Sequence, residues 1–292
     1  MLKLTKTSKG MELWKSIVQT QEYQDEMEDS LPQELEIQAV VGASGFGAAK
    51  LGKERLWSAS VELTAWKEEG GEIHREEILL STVADDRLLE HLRSTVKRDS
   101  VIRCRVRPSR NGRYLLMTGP AQEGNDPELK EILEEQMREV TMEVEGLGTF
   151  VLDRTVDWLE TKKDWLGTEI RLSFDRDDEK TMESAMETAR TLMEDQRGWD
   201  RRIREYAADE LLELANDWAE STVYEEESEA AEEDEQLVSR EQFMERMELE
   251  SIQAQEDGEF EFWFLDGDMF YGHSIHVTGN VEDGPDWADI EG

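Results

Sequence analysis

The sequence is short of the residues from which metal sites, disulfides and membrane spans are built. It has one cysteine and four histidines in 292 residues, so an internal disulfide is excluded and a reducing compartment is indicated. No apolar run approaches the roughly 20 residues that span a bilayer, and the start from Met1 to Lys6 lacks the apolar region of a signal peptide. These absences predict a cytoplasmic protein, located in the host cytoplasm if a phage encodes it.

Basic residues are also scarce. Lys and Arg number 33 against 71 Asp and Glu, which gives a net charge of −38. Such a surface repels nucleic acid and anionic membranes, because both carry dense negative charge. We therefore expect no membrane association and no direct binding of nucleic acid, and the preferred partners should be basic protein surfaces. A strong negative field can also serve solubility alone, and that interpretation stays open.

The first half of the chain is predicted to be mostly β. A helical arm or packing helix over residues 1–30 precedes strands in ELEIQAVVGA, WSASVELTAW and EIHREEILLST. A helix near Ala84 and strands in SVIRCRVRP and RYLLMTG follow. The order β-β-β-α-β-β is that of the oligonucleotide-binding (OB) fold, so a small OB-like β-barrel is expected over 31–122. Cys104 alternates with arginines and should lie buried on the apolar side of its strand.

The second half is predicted to be an α+β domain over 144–292, which makes the fold class of the whole chain α+β. Residues 123–143 read as a linker with a short helix, after the turn-forming Gly124 to Pro127. Three strands follow Val144, and then two long helices, the first capped by Asp177 or Asp178 and the second starting near Trp199. An antiparallel sheet is expected to complete the domain.

The most aromatic stretch of the chain is DGEFEFWFLDGDMFYGHSIHVTG, from Asp257 to Gly279. Its two Asp-Gly pairs favour two-residue turns, so the stretch is predicted to be a three-strand meander. A turn at Asp266-Gly267 would pair Phe262 with Tyr271 and place Trp263 on the opposite face. Both faces would then carry large apolar groups, and we expect the hairpin to be covered on both.

The sequence yields no catalytic, cofactor-binding or metal-binding residue, and no cofactor is predicted. His273 and His276 are three apart on a predicted strand and point to opposite faces, so one ion could not easily take both. A phosphate-loop pattern at 47–53 is followed by Glu54, where a Ser or Thr would hold magnesium. One alternative remains open, a metal-dependent enzyme acting on nucleotides through Asp266, Asp268 and His273.

Two charged segments are candidate interaction surfaces. An acidic loop is predicted over 220–238, which is either solvated or competes with phosphates for a basic groove. Exposed tryptophans such as Trp14, Trp66 or Trp287 are further candidates, whereas nine basic residues over 87–113 suit a nucleic-acid face or self-association. The candidate partner-binding residues are Glu225, Glu226, Glu227, Glu229, Glu232, Glu233, Asp234, Glu235 and Trp287.

Three segments carry a resemblance to a known family. They are VDWLETKKDWLGTEIRLSFD, WDRRIREYAADELLELANDWA and the end of the chain from MELESIQAQ to DWADIEG. Over 144–292 the chain resembles the bacterial and phage domain-of-unknown-function family numbered 2262. The resemblance implies an α+β fold, no established reaction and no catalytic residues to transfer.

Size, domain order and acidity are similar to those of phage inhibitors of the Gabija defence system. This similarity implies a homo-oligomer that binds the Gabija nuclease-helicase complex, a partner with a basic DNA-binding surface, and blocks its access to DNA. We therefore expect a non-catalytic anti-defence protein. An immunity protein that neutralises a bacterial toxin nuclease is the alternative of the same kind.

Overall fold

The computed structural model of the chain describes residues 6–50, 55–223 and 237–292. Its contacts divide the chain into two compact units, Met1–Arg138 and Glu139–Gly292. Within the described ranges, no helix has the length and apolar character needed to cross a bilayer.

The N-terminal unit is built on a closed five-stranded barrel. The elements of the unit are α1 (Lys6–Ile17), α2 (Gln21–Glu28), β1 (Leu35–Val41), β2 (Gly47–Ala49), β3 (Trp57–Glu68), β4 (Ile78–Ala84), α3 (Asp86–Thr95), β5 (Ser100–Pro108), β6 (Tyr114–Met117), β7 (Gln122–Glu123) and α4 (Pro127–Gln136). The barrel order is β1-β3-β4-β6-β5, β5 pairs again with β1, and β4 runs parallel to β6. This connectivity confirms the predicted OB-like barrel, since β1, the first barrel strand, pairs with the fourth, β5, and the third, β4, pairs with the fifth, β6.

Alternation along the strands fills the barrel. Ala59, Val61 and Leu63 of β3 point inward at every second position, which is the period of a strand. Cys104 lies in the same core, and burial raises the pKa of its thiol to about 12. The prediction of a buried structural cysteine is confirmed, because a buried thiol with this pKa supplies little thiolate near neutral pH.

The N-terminal segment is packed onto the barrel, so its structure differs from a projecting arm. Leu13, Trp14 and Ile17 of α1 and Tyr23 of α2 belong to the barrel core. The Trp14 and Tyr23 rings meet edge to face at 6.2 Å, and the Tyr23 hydroxyl donates to the carbonyl of Met117 at 3.2 Å. Trp14, expected as an exposed candidate, is therefore a core residue.

Helix α4, expected within a linker, covers the outer side of β1 and β3. Its Leu129 and Ile132 are buried against Val40, which faces outward by strand alternation, and Ala65, which the register shift between β1 and β3 places on the same outer side. Asp126 caps the helix, and its carboxylate lies 3.4 Å from the ammonium nitrogen of Lys67, a buried residue of β3 that also pairs with Glu128. This apolar and ionic seam fixes α4 to the barrel.

Over its described residues, the C-terminal unit is an eight-stranded sheet with three α-helices. The elements are β8 (Thr141–Val144), β9 (Gly148–Asp153), β10 (Trp158–Trp165), β11 (Thr168–Asp175), α5 (Glu179–Glu194), α6 (Gln196–Val223), α7 (Arg240–Arg246), β12 (Glu248–Ala254), β13 (Glu259–Leu265), β14 (Ser274–Asn280) and β15 (Gly284–Glu291). The strand order is β15-β14-β13-β12-β11-β10-β9-β8, and every neighbouring pair is antiparallel except β11 and β12. The predicted α+β fold with two long helices is confirmed.

The core of this unit lies between the helices and one face of the sheet. Phe260, Phe262 and Phe264 of β13 are fully buried there, with Trp199 edge to face on Phe260 at 5.3 Å and Trp165 on Phe262 at 5.6 Å. The helices all belong to the crossover between the parallel strands β11 and β12, and such a crossover lies over a sheet face. They contribute their buried side chains to the phenylalanine face.

The predicted two-residue turn at Asp266-Gly267 is wrong. Leu265 pairs with Ser274 and Phe262 with Val277, so an eight-residue loop over 266–273 joins β13 to β14. The buried Asp266 carboxylate accepts hydrogen bonds from the amides of Phe270 at 2.5 Å, Gly272 at 3.1 Å and Asp268 at 3.3 Å. These three bonds and the burial of Phe270 outweigh the local preference of Asp-Gly for a tight turn.

Candidate functional site

The sheet face opposite the phenylalanines carries a different set of side chains. Because side chains alternate along a strand, Glu261 and Trp263 of β13 lie on this second face. The strand register brings His276 opposite Trp263 and Trp287 opposite Thr278. We call this surface the tryptophan face and define it by Trp158, Trp263 and Trp287. The expectation that the hairpin is covered on both faces fails here, since Trp263 is half-buried and Trp287 is 41% exposed.

Glu261 is the hydrogen-bonding centre of the tryptophan face. One carboxylate oxygen accepts from the Gln255 amide at 2.7 Å, and the other from the Trp263 indole at 3.2 Å and His276 Nε2 at 3.1 Å. The hydrogen bond with His276 is the largest cause that lowers the pKa of Glu261, and burial opposes it. The carboxylate is therefore held ionised and oriented, with its acceptor positions engaged by three neighbours.

His276 is enclosed by two tryptophans. Its ring stacks on Trp263 at 3.8 Å and meets Trp287 edge to face at 5.3 Å. Its Nδ1 atom is buried without a hydrogen-bond partner and lies 3.8 Å from a carboxylate oxygen of Glu291. Across the described ranges, no group of three or more His, Cys, Asp and Glu side chains is placed to hold a metal ion.

A groove of about 470 Å³ crosses strands β10 to β13 on this face. Ser173, Ser251 and Gln253 form its buried polar floor, and Arg171 and Asp175 lie four residues apart on β11. Gln253 donates to the Asp175 carboxylate at 3.0 Å. The groove is lined by Trp158, Arg171, Ser173, Asp175, Glu250, Ser251, Gln253, Glu261 and Trp263.

The groove has a negative end at Asp175. Burial is the largest cause that raises the pKa of this carboxyl, and the nearby negative charges of Glu261, Asp177 and Asp157 raise it further. The hydrogen bond from Gln253 acts in the opposite direction. A positive group placed at this end would lie near the Asp175 carboxylate and the negative charge of Glu261.

The predicted interaction residues lie in different environments, and some of them lie outside the described residues. Trp287 lies on the tryptophan face, and Trp66 is half-buried in the barrel with its ring stacked on His74 at 4.1 Å. The acidic-loop candidates lie outside the described residues; they are Glu225, Glu226, Glu227, Glu229, Glu232, Glu233, Asp234 and Glu235.

Asp266, Asp268 and His273, the residues considered for a metal-dependent enzyme acting on nucleotides, all lie in the loop 266–273. Asp266 binds three loop amides, and His273 Nδ1 lies 2.6 Å from the carbonyl of Phe270. Asp268 has a positive φ of 63°, a conformation that Asp tolerates in turns. These local hydrogen bonds account for why an Asp and a His occupy positions 266 and 273.

The basic segment over 87–113 is partly neutralised within the barrel. Arg103 of β5 pairs with Glu36 of β1, Arg105 of β5 pairs with Glu34 just before β1, and Arg110 donates to the carbonyl of Glu28. Cross-strand pairs of opposite charge stabilise the sheet and weaken the positive field. They favour a structural role for these arginines over a nucleic-acid face.

Sequence reasoning missed Trp158, Asp175, Gln253 and Glu261. A signal existed in EFEFWF, where Glu261 and Trp263 alternate with three phenylalanines and indicate a second, more polar face. The sequence carries no such signal for the groove. The groove forms only when β11 pairs in parallel with β12, and α5, α6 and α7 separate these two strands in the chain.

The architecture defines a class of α+β protein in which an OB-like barrel precedes a sheet with helices on one face. The chain belongs to the family described as an uncharacterized protein conserved in bacteria, DUF2262, which matches residues 144–290. A domain of unknown function, DUF7021, matches residues 20–136. No curated protein and no solved structure matches the chain. The resemblance seen in the C-terminal half of the sequence is confirmed.

Proposed function

We propose that the protein is a non-catalytic inhibitor that binds a basic, nucleic-acid-binding surface of a partner protein. The uneven distribution of charge carries this proposal. Residues 1–138 contain 20 Lys and Arg against 25 Asp and Glu, a net charge of −5. Residues 139–292 contain 13 against 46, a net charge of −33. The acidic excess therefore belongs almost entirely to the unit with the tryptophan face.

Charge and aromatic surface have complementary roles in such an interface. A strong negative field steers a basic surface into contact and raises the association rate. Tryptophan then supplies contact area, and it is enriched among the residues that dominate binding energy. Trp287 lies on β15 beside Asp286, Asp289 and Glu291, so the two features occur together.

The proposed mechanism of inhibition is competition with DNA. Proteins bind the DNA backbone mainly through Lys and Arg that contact phosphates. An acidic surface that occupies those side chains excludes the DNA without any chemical step. The proposed target is a Gabija-type nuclease-helicase complex in the host cytoplasm, bound by a homo-oligomer, and its support is the similarity in size, domain order and acidity.

Native mass spectrometry tests this proposal. The purified protein is measured alone, for its oligomeric state, and after mixing with a Gabija nuclease-helicase complex at low and moderate salt. We expect a discrete higher-mass assembly that weakens as salt rises, because charges are screened beyond about 10 Å at 0.1 M. Adding duplex DNA should reduce the amount of the assembly if both ligands occupy one surface.

Two outcomes would redirect the proposal. Separate masses at both salt concentrations would remove the Gabija complex as the target, and the same measurement with basic toxin nucleases would then test the immunity alternative. An assembly that forms together with duplex DNA, without loss of either component, would contradict competition.

A further inference from the structure

We infer that the groove between Trp158 and Trp263 binds the guanidinium group of an arginine side chain. The inference rests on the proposed function, because the basic partner supplies the arginine. It goes further by assigning one groove, among all the acidic surface, as the place where a planar cation is recognised.

Trp263 offers a pre-oriented platform for this group. His276 stacks on one face of the indole at 3.8 Å, so the face that lines the groove is the other one. The indole N–H is fixed by its hydrogen bond to Glu261. An aromatic face held in place in this way attracts a cation through its quadrupole, and the effect is largest for tryptophan. Trp158 forms the opposite wall.

The floor of the groove supplies hydrogen-bond acceptors that lack partners. Ser173 and Ser251 are 2% and 9% exposed, and neither hydroxyl has a hydrogen-bond partner among the described residues. The side-chain carbonyl oxygen of Gln253 also has no hydrogen-bond partner among the described residues. The one hydrogen bond that this side chain makes to them runs from its NH₂ group to Asp175. These oxygens line the groove and can accept hydrogen bonds from a ligand that donates several.

The charge of the groove selects a cation. Three carboxylates line it, those of Asp175, Glu250 and Glu261, against one guanidinium, that of Arg171. Arg171 is four residues from Asp175 on β11, and its Nε atom lies 4.0 Å from a carboxylate oxygen of Glu160. The Asp175 end is therefore the place where a second positive group is attracted most strongly.

Shape and donor number favour arginine over lysine. A guanidinium is planar, stacks on an indole and presents five N–H donors in one plane, with no acceptor. A lysine ammonium is a compact and strongly hydrated point charge that cannot stack. The combination of an indole wall, a carboxylate and several unpaired acceptors matches the planar group.

Two peptides of equal charge test the inference on the full-length protein, with no partner present. Blocked hexa-arginine and hexalysine are titrated by calorimetry at low salt. We expect hexa-arginine to bind about fivefold more tightly than hexalysine, which corresponds to roughly one cation–π contact. Trp263→Ala should bring the ratio close to one because it removes the indole platform, and the isosteric Asp175→Asn should also lower the ratio. Tyr271→Ala, which truncates an exposed aromatic side chain of the same unit that does not line the groove, should keep the ratio.

Equal affinity of the wild-type protein for the two peptides would overturn the inference, and so would an unchanged ratio in both groove variants. Asp175→Asn keeps the test decisive if Trp263→Ala does not fold, which circular dichroism reports. The outcome is separate from that of mass spectrometry. If a complex with the Gabija proteins forms but the protein shows no preference for arginine, the proposed function stands and the arginine-binding inference fails. If the protein prefers arginine but forms no complex, the arginine-binding inference stands and the proposed Gabija target fails.

Discussion

The two units place polar and charged side chains around their β-sheets in opposite ways. The barrel closes on itself, is flanked by helices and has nearly equal numbers of both charges, several of them paired across β1 and β5. The eight-stranded sheet stays open, has helices against one face, and carries a large acidic excess. The unit with the acidic excess is therefore also the unit with an aromatic surface left partly accessible.

The open sheet has edge strands that could pair with strands of other molecules. Some acidic residues lie on such an edge strand and oppose this pairing. Strand β15 lies at one end of the sheet and carries Asp286, Asp289 and Glu291. Charged edge strands resist pairing with the edges of other molecules. We therefore expect the acidity of this edge to hinder edge-to-edge pairing, in addition to its proposed attraction for a basic partner.

The largest expected effect is a cavity in the C-terminal core. Phe262→Ala removes a fully buried ring that contacts Trp165, Phe260 and Phe264, and it should lower the free energy of unfolding by about 3–5 kcal/mol. The buried clusters of the two units share no residue. Hydrogen exchange should therefore show faster exchange in β12 to β14 and unchanged protection in the barrel. Equal loss of protection in both units would contradict the separation of their cores.

A smaller effect is expected from the loop carboxylate. Asp266→Ala leaves the amides of Asp268, Phe270 and Gly272 without their acceptor, and it should cost about 1–3 kcal/mol in urea unfolding. The matched control is Asp283→Ala, an exposed acid of the same unit, which should change stability by less than about 0.5 kcal/mol. Similar effects of the two substitutions would show that the loop does not depend on these hydrogen bonds.

The unequal charge of the units predicts unequal effects on association. The triple variant Asp286→Asn, Asp289→Asn, Glu291→Gln should slow association with a basic partner by about tenfold at low salt, because it removes charge beside the tryptophan face. The control variant Glu131→Gln, Glu134→Gln, Glu135→Gln removes three exposed acids of α4. Stopped-flow measurement should give a change below about twofold for the control. Equal slowing would mean that only total charge matters.

The smallest expected effect is the dependence of stability on acid. The folded-state pKa of Glu261 is lowered from 4.5, mainly by its hydrogen bond with His276. A depressed pKa stabilises the fold fully above the unfolded value and loses that contribution as pH falls through the folded value. Between pH 5 and pH 3, the wild-type protein should therefore lose more stability than Glu261→Gln. Parallel thermal-unfolding curves for the two proteins over this range would argue against the coupling.

Local patterns predicted those features of the fold that depend on near neighbours in the chain. The β-β-β-α-β-β order, the burial of Cys104 and the two long helices follow from alternation, helical spacing and capping residues. The same patterns misjudged Asp266-Gly267, where the local preference for a tight turn lost to three backbone hydrogen bonds and the burial of Phe270.

The net charge, the burial of the one cysteine and the alternation that separates Phe262 from Trp263 can all be read from the amino-acid sequence. The parallel pairing of β11 with β12, and the groove that it forms from Asp175, Gln253 and Glu261, can be seen only in the folded chain. These two kinds of feature differ in the range of the interactions that produce them. Side-chain alternation is fixed by the geometry of one strand, whereas the pairing of strands separated by three helices depends on packing free energy summed over residues distant in the chain.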